Sequence, residues 1–249
     1  SLHVIESAFP VNDKINFFIN TAHDIRTPLA LIKAPLEELH QNTSLGVEER
    51  EAVSMALRNT NMLSHMTDSV MRYELASIEK GITRIERHEA IAHFQSQIDK
   101  ISQLAQTKHQ TIIFEHPDEP FEIWVDTRKL NSIIQNLLSN AIKYSEEGDS
   151  IVLHLYCESK NWGFHVTDNG IGISEEGQKK LFKQIFRATN AINAKTFGFG
   201  LGLISIYRYV TQMKGRIDVK SILNEGSDFH IRFPRKISVF WYAYDAGRI

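Results

Sequence analysis

Cysteine is nearly absent from the 249 residues, with Cys157 alone in an apolar, strand-like run. One thiol excludes an intramolecular disulfide, suits a reducing compartment and reads as structural. Charge of one sign is lacking too: 28 Lys and Arg against 30 Asp and Glu leave a net charge of -2 and a pI near 6.6. Such a balance offers no field to gather nucleic acid or an anionic membrane, so neither is an expected partner. No stretch approaches the roughly 20 apolar residues that span a bilayer, and the first residues carry no basic-then-apolar signal pattern. Internal repeats and low-complexity tracts are also missing. What remains, 42% hydrophobic and 23% charged, is an ordinary globular composition with length for two domains.

From Ile15 the apolar residues fall at Ile15, Phe18, Ala22, Ile25, Leu29, Ile32, Leu36 and Leu39, a heptad seam. So narrow a stripe on a long helix must be covered by other helices, which favours a hairpin that pairs with a second copy. His23 falls at the seam's edge, beside Ala22. Asp24 follows it, Arg26 lies three on, and Thr27 and Pro28 come next. A neutral imidazole is a good nucleophile, and an adjacent carboxylate can hold one ring nitrogen as N–H while the other keeps its lone pair. Pro28 and Pro35 predict a bend just after His23.

Asn42-Thr43-Ser44-Leu45-Gly46 has turn chemistry, and Glu48-Glu49-Arg50-Glu51 suits the positive end of a second helix. Ala52, Ala56, Leu63, Met66, Val70 and Tyr73 continue the spacing, so the antiparallel hairpin spans roughly 11–75. The pattern fails between Ala76 and Gly81, and the predicted domains are 1–78, 79–235 and a tail, 236–249. In the second, a strand at Ile82–Ile85 is followed by a helix near 89–107 and strands near 111–116 and 121–125. A helix over about 127–144 and strands near 150–157 and 162–168 come next, then a helix near 201–213 and strands near 216–222 and 228–233. That order predicts a mixed sheet covered by helices on one face. The tail is aromatic and has no assigned role.

Three segments carry chemistry beside His23. Asn136, Asn140 and Lys143 lie at i, i+4 and i+7 of one helix, a stripe able to hold hydrated Mg²⁺ and its phosphates, or simply a solvated face. Asp168-Asn169-Gly170-Ile171-Gly172 follows an apolar strand; it can offer a carboxylate to an adenine amino group with bare backbone beside it, or be a plain Asp-Gly turn. Gly198-Phe199-Gly200-Leu201-Gly202 opens a helix and presents backbone N–H groups to an anion. The polar stretch 187–197 between them reads as a mobile lid.

In this order and over roughly 12–234, the segments resemble the transmitter core of sensor histidine kinases. His23-Asp24-Ile25-Arg26-Thr27-Pro28 resembles the phosphoacceptor box, Asn136 to Tyr144 the asparagine box, and Asp168 to Gly172 the first glycine box. Phe182 to Arg187 is similar to the phenylalanine box, Gly198 to Gly202 to the second glycine box, and Gly226-Ser227-Asp228-Phe229 to the closing Gly-Thr-x-Phe. Asp24 stands where glutamate is commoner, one methylene shorter, and Ser227 keeps the hydroxyl of the usual threonine.

The resemblance implies a long antiparallel helical hairpin, a four-helix bundle in the homodimer, followed by a GHKL-type α/β sandwich with a mixed sheet. It implies ATP-dependent phosphorylation of His23, activated by Asp24, and transfer to an aspartate of a response-regulator receiver domain. Asn140 would coordinate Mg²⁺ with help from Asn136; Lys143 and Arg187 would touch the phosphates; Tyr144 would stack near the base; Asp168 would bind adenine. Gly170, Gly172, Gly198, Gly200 and Gly202 would line the nucleotide. Thr27 resembles the position that orients water in the reverse, phosphatase reaction; its other reading is a hydroxyl bonded to the carbonyl four residues back. The segment would be cytoplasmic, part of a membrane-anchored sensor but without membrane contact of its own. Two other readings are a conformational ATPase of the gyrase or chaperone kind and a non-catalytic dimer scaffold.

Overall fold

The computed structural model describes residues 11–42, 44–78, 84–182 and 201–235; the side chains of 11–19, 22, 23, 65, 69, 72–78 and 201 lie outside that description. Two compact units result, one ending at Ile78 and the other beginning after it.

The first unit pairs α1 (Val11–Gln41) with α2 (Val47–Ile78). Pro28 and Pro35 leave the carbonyls of Asp24 and Leu31 without their helical donors, yet α1 runs through both prolines unbroken. The turn is built from side-chain chemistry. Asn42 Oδ1 accepts from the Ser44 N–H at 3.0 Å, and Glu49 reaches back to the Gly46 N–H at 2.7 Å, closing the start of α2. Across the hairpin Arg26 grips Asp68, its Nε donating at 3.0 Å.

The seam divides into two kinds of position. Leu29 on α1 and Thr60 and Met71 on α2 are buried within the hairpin. Ile25, Ile32 and Leu39, spaced by seven, stay 42%, 50% and 43% exposed, and Leu63, Met66 and Val70 of α2 are exposed as well.

The second unit is built from β1 (Ile85–Glu89), α3 (Ala90–Gln106), β2 (Thr111–Glu115), β3 (Glu122–Asp126), α4 (Thr127–Tyr144), β4 (Ser150–Cys157) and β5 (Asn161–Asp168). A four-residue α5 (Glu175–Gln178), then α6 (Leu201–Gln212), β6 (Arg216–Ile222) and β7 (Gly226–Pro234) complete it. The main sheet has the order β2-β4-β5-β7-β6, with β2 parallel to β4 and every other pair antiparallel. β1 and β3 form a separate antiparallel pair. The first strand occupies 85–89, and residues 82 and 83 of the strand expected at Ile82–Ile85 lie outside the described residues. Its partner β3 fixes it there, through the register Glu89↔Glu122.

α4 shows why this sequence folds as it does. Leu130, Ile133, Ile134, Leu137, Leu138, Ala141 and Ile142 form one buried stripe, and burying each of the large ones contributes about 1.5–3 kcal/mol. Asp126 caps its start, accepting from the Arg128 and Lys129 N–H groups. At the other end Lys108 Nζ donates to the carbonyls of Ile142 (2.8 Å), Lys143 and Ser145 (both 3.2 Å), matching a cation to the helix's negative pole. Gln110 adds bonds to Ile142, Ser145 and Glu146. Beneath α3, Phe94 meets Phe164 edge-on with centroids 4.9 Å apart, and Trp162 stacks on Phe233 at the same distance.

Candidate active site

Burial of one face of α4 turns the opposite stripe outward, and Asn136, Asn140, Lys143 and Tyr144 along it are all half-buried. Asn136 spends its amide N–H on the Ser132 carbonyl at 2.7 Å, which orients its Oδ1. That oxygen faces Gly202 on α6, where a β-carbon would lie 3.2 Å from it. Asn140 makes no side-chain hydrogen bond among the described residues. Lys143 Nζ donates to the Tyr144 hydroxyl at 3.1 Å and lies 4.6 Å from its ring centroid, a cation over an aromatic face.

Asp168 ends β5 and is buried, at 7% exposure. Its Oδ1 accepts from the Gly170 N–H at 2.9 Å, and Ser227 on β7 lies opposite it in the ladder. Burial outweighs the pull of the neighbouring Gly170 and Ser227 backbone and pushes the carboxyl up to about 6. A carboxylate held this way, with backbone on both sides and little water, can accept a hydrogen bond from an exocyclic amine and discriminate against a carbonyl.

The loop after Asp168 crosses the end of α4. The Ile171 N–H donates to the Tyr144 carbonyl at 3.1 Å, and a β-carbon on Gly170 would collide with that same carbonyl. Gly172 has φ +62°, and a β-carbon there would strike the Ile222 carbonyl. Bare backbone at 170 and 172 is thus required by the protein's own packing.

Asn136, Tyr144, Asp168, Gly170, Gly172 and Gly202 are accordingly held together by contacts among α4, the loop after β5, the β6–β7 turn and α6. Arg187, Gly198, Gly200, the stretch 187–197 and the tail 236–249 lie outside the described residues. His23, Asp24 and Thr27 follow one another on α1, with Asp24 and Thr27 exposed and the imidazole of His23 outside the description.

Two residues that set the site carry no signal of their own in the sequence. Ser221 Oγ accepts from the Ile173 N–H at 2.8 Å and donates to the Gly226 carbonyl at 2.7 Å; Gln178 Nε2 donates to the carbonyls of Ile173 and Ser221, both at 2.8 Å. They tie the loop after Asp168 to the β6–β7 turn. A serine in an alternating strand and a glutamine on a short helix look like solvated surface, and only the tertiary pairing gives them this task.

Comparison with known proteins fits this geometry. Residues 125–237 match the family model described as histidine kinase-, DNA gyrase B- and HSP90-like ATPase, and residues 13–81 match the His Kinase A (phospho-acceptor) domain. The sensor histidine kinase YcbM of Bacillus subtilis is 32% identical over 226 residues, covering 87% of this chain and 70% of the relative. The sensor protein CiaH of Streptococcus pneumoniae is 28% identical over 87% of this chain and 48% of its own length. Among solved structures, full-length ShkA in complex with AMPPNP superposes with a TM-score of 0.67 at 21% identity, over 89% of this chain and 46% of that one. The histidine kinase AdeS of Acinetobacter baumannii gives 0.59 at 20% identity, over 86% and 98%.

The chain belongs to the sensor histidine kinase family: it is a protein histidine kinase that uses ATP, built as a helical hairpin followed by a GHKL-type α/β unit. It spans 70% of YcbM but about half of CiaH. No helix among the described residues is long and apolar enough to cross a membrane.

Proposed function

We propose that His23 takes the γ-phosphoryl group of an ATP held by the second unit and passes it to an aspartate of a response-regulator receiver domain. The observation that carries the nucleotide half of this reading is Asp168, a buried acceptor fixed by the Gly170 N–H at the lip of a glycine loop. Asp168 binds the adenine amine, Gly170 and Gly172 admit the base, and Tyr144 stacks beside it. Lys143 and Arg187 meet the phosphates, and Gly198, Gly200 and Gly202 close over them.

The donor set also fits a hard cation. Asn140 offers an amide with no competing partner among the described residues and Asn136 an oxygen already oriented by Ser132, which suits the few oxygen ligands that Mg²⁺ takes from protein. Mg²⁺ bound there would offset the charge that develops across the phosphates during transfer.

In the hairpin, Asp24 holds one nitrogen of His23 as N–H and leaves the other to attack in line. The bond from phosphorus to the β,γ-bridging oxygen breaks as the N–P bond forms, and ADP leaves. Thr27, one helical turn on, orients water for the reverse reaction on the phosphorylated receiver. The nucleophile and the nucleotide sit on separate units, so domains 1–78 and 79–235 act as acceptor and donor.

A homodimer through the hairpin completes the picture. Ile25, Ile32 and Leu39 together with Leu63, Met66 and Val70 are apolar, regularly spaced and left open by the α1–α2 pair, and a second hairpin would cover them as a four-helix bundle. We place the segment on the cytoplasmic side of a membrane-anchored sensor, where receiver domains are met.

Labelling with γ-³²P-ATP tests the reading. Wild type acquires acid-labile, alkali-stable label, while His23→Gln and Asn140→Ala acquire none. A conformational ATPase would instead turn over ATP undiminished in His23→Gln, and a scaffold would bind no nucleotide at all.

A further inference from the structure

The outer face of the main sheet carries one complete row across all five strands. Glu115 on β2 pairs with His154 on β4, His154 with His165 on β5, His165 with His230 on β7, and His230 with Asp218 on β6. Three histidines thus stand side by side between two acids. His165 and His230 stack with centroids 4.3 Å apart and planes inclined by 17°, and His154 meets His165 at 5.4 Å. His154 Nδ1 lies 3.0 Å from Glu115, and the Tyr156 hydroxyl is 2.6 Å from His230 Nε2. Asp228 approaches His165 Nδ1 at 3.5 Å and accepts from Thr167 at 3.3 Å. Arg216 and Arg232 occupy the next rung toward one end of the sheet, and Lys220 and Asp228 the next toward the other.

Two imidazoles stacked at this distance tolerate one positive charge far better than two, because like charges directly opposite on neighbouring strands repel. Two register pairs, Val166↔Phe229 and Thr167↔Asp228, separate that pair from the site. Counting along the strands, Asp168 is three residues beyond His165 and Ser227 three before His230, and Asp168 and Ser227 are themselves opposite one another.

We propose that the His154–His165–His230 row is a proton-sensitive brace on the sheet that carries the adenine-binding carboxylate. While His230 is neutral, the β5–β7 ladder stays closed around the Asp168–Ser227 pair. A proton on His230 sets positive charge against the stacked His165 ring and loosens that ladder, coupling acidification to the nucleotide site through backbone rather than through any residue that touches ATP. Burial and the neighbouring His165 hold His230 below its ordinary value, which is the direction a coupled pair requires. Between its folded value and the usual 6.5, the unfolded chain carries a proton that the folded chain does not. Stability from this source therefore falls as pH drops through that window and is gone below it.

Imidazole carbon NMR on the full chain tests the coupling, with signals assigned by single His→Gln variants. The expected result is a His230 midpoint below 6.5 in wild type that moves upward in His165→Gln, and a thermal midpoint whose change between pH 7.5 and 5.5 is less unfavourable to the folded state in that variant than in wild type. His109→Gln, at an exposed turn, is the control and leaves both unchanged. Should His165→Gln fail to fold, His165→Asn gives the same two readouts. An unmoved midpoint, or a pH profile of melting identical to wild type, overturns the proposal.

Discussion

Gly202 and Asn136 face one another across the gap between α6 and α4, and a β-carbon at 202 would stand 3.2 Å from the Asn136 Oδ1. That spacing is tighter than ordinary van der Waals contact but not a collision, so the Asn136 amide can yield by a few tenths of an ångström. Gly202→Ala is expected to weaken Mg-ATP binding by about tenfold, or about 1.4 kcal/mol, through a displaced ligand. Melting temperature should barely move. Calorimetric titration with Mg-AMPPNP alongside a thermal melt separates the two effects.

Gly172 behaves differently because its constraint lies in the fold. At φ +62° an alanine pays the left-handed penalty of about 1–2 kcal/mol, and its β-carbon also runs into the Ile222 carbonyl. Gly172→Ala should lower the melting temperature of the α/β unit by about 5 °C or more, at about 2–4 °C per kcal/mol. Circular dichroism without nucleotide checks it.

Asp168 predicts a trade between stability and recognition. A carboxyl raised from 3.8 to about 6 is more easily protonated folded than unfolded. The folded state is thus favoured below pH 4 and loses that advantage as pH rises through 6. Asp168→Asn should therefore melt higher than wild type at pH 8, by a margin that vanishes near pH 4, and should bind adenine nucleotides at least tenfold more weakly at pH 8. In wild type, nucleotide affinity should fall as the carboxyl protonates below pH 6.

On the hairpin, Leu29 and Ile32 should separate folding from assembly. Leu29 is buried between the helices and Ile32 is half exposed. Leu29→Ala is expected to cost about 2–5 kcal/mol of hairpin stability. Ile32→Glu should leave helical content intact and shift the mass in analytical ultracentrifugation from dimer to monomer.

Much of this was legible in the residues. The helix expected over about 127–144 matches α4, and the largely apolar runs of β4 and β5 show themselves because both lie mid-sheet. The run of β1 through Glu89 was not evident, since Ile85-Glu86-Arg87-His88-Glu89 is mostly exposed and its polar sequence carries no strand alternation; β3 defines it. The extent of β7 back to Gly226 and the helix at 175–178 were also not evident. The first depends on pairing with β5 and β6, and the second on four residues held by the Ser174 cap. In the site, residue types and order pointed to the nucleotide pocket, but the bracing by Ser221, Gln178, Lys108 and Gln110 depends on residues far apart in sequence. The split of the seam into inward and outward positions was likewise invisible, because both are equally apolar.

In the proposed reaction one imidazole on α1 receives phosphorus from a nucleotide held by the other unit. Mass-spectrometric mapping of peptides from chain incubated with Mg-ATP, digested and separated at alkaline pH, tests it most directly. One phosphoryl group is expected on the peptide that contains His23, with fragmentation placing it on that residue and acid removing it. A phosphoryl group on any other residue, or an unmodified His23 in a chain shown to bind Mg-ATP, would contradict it.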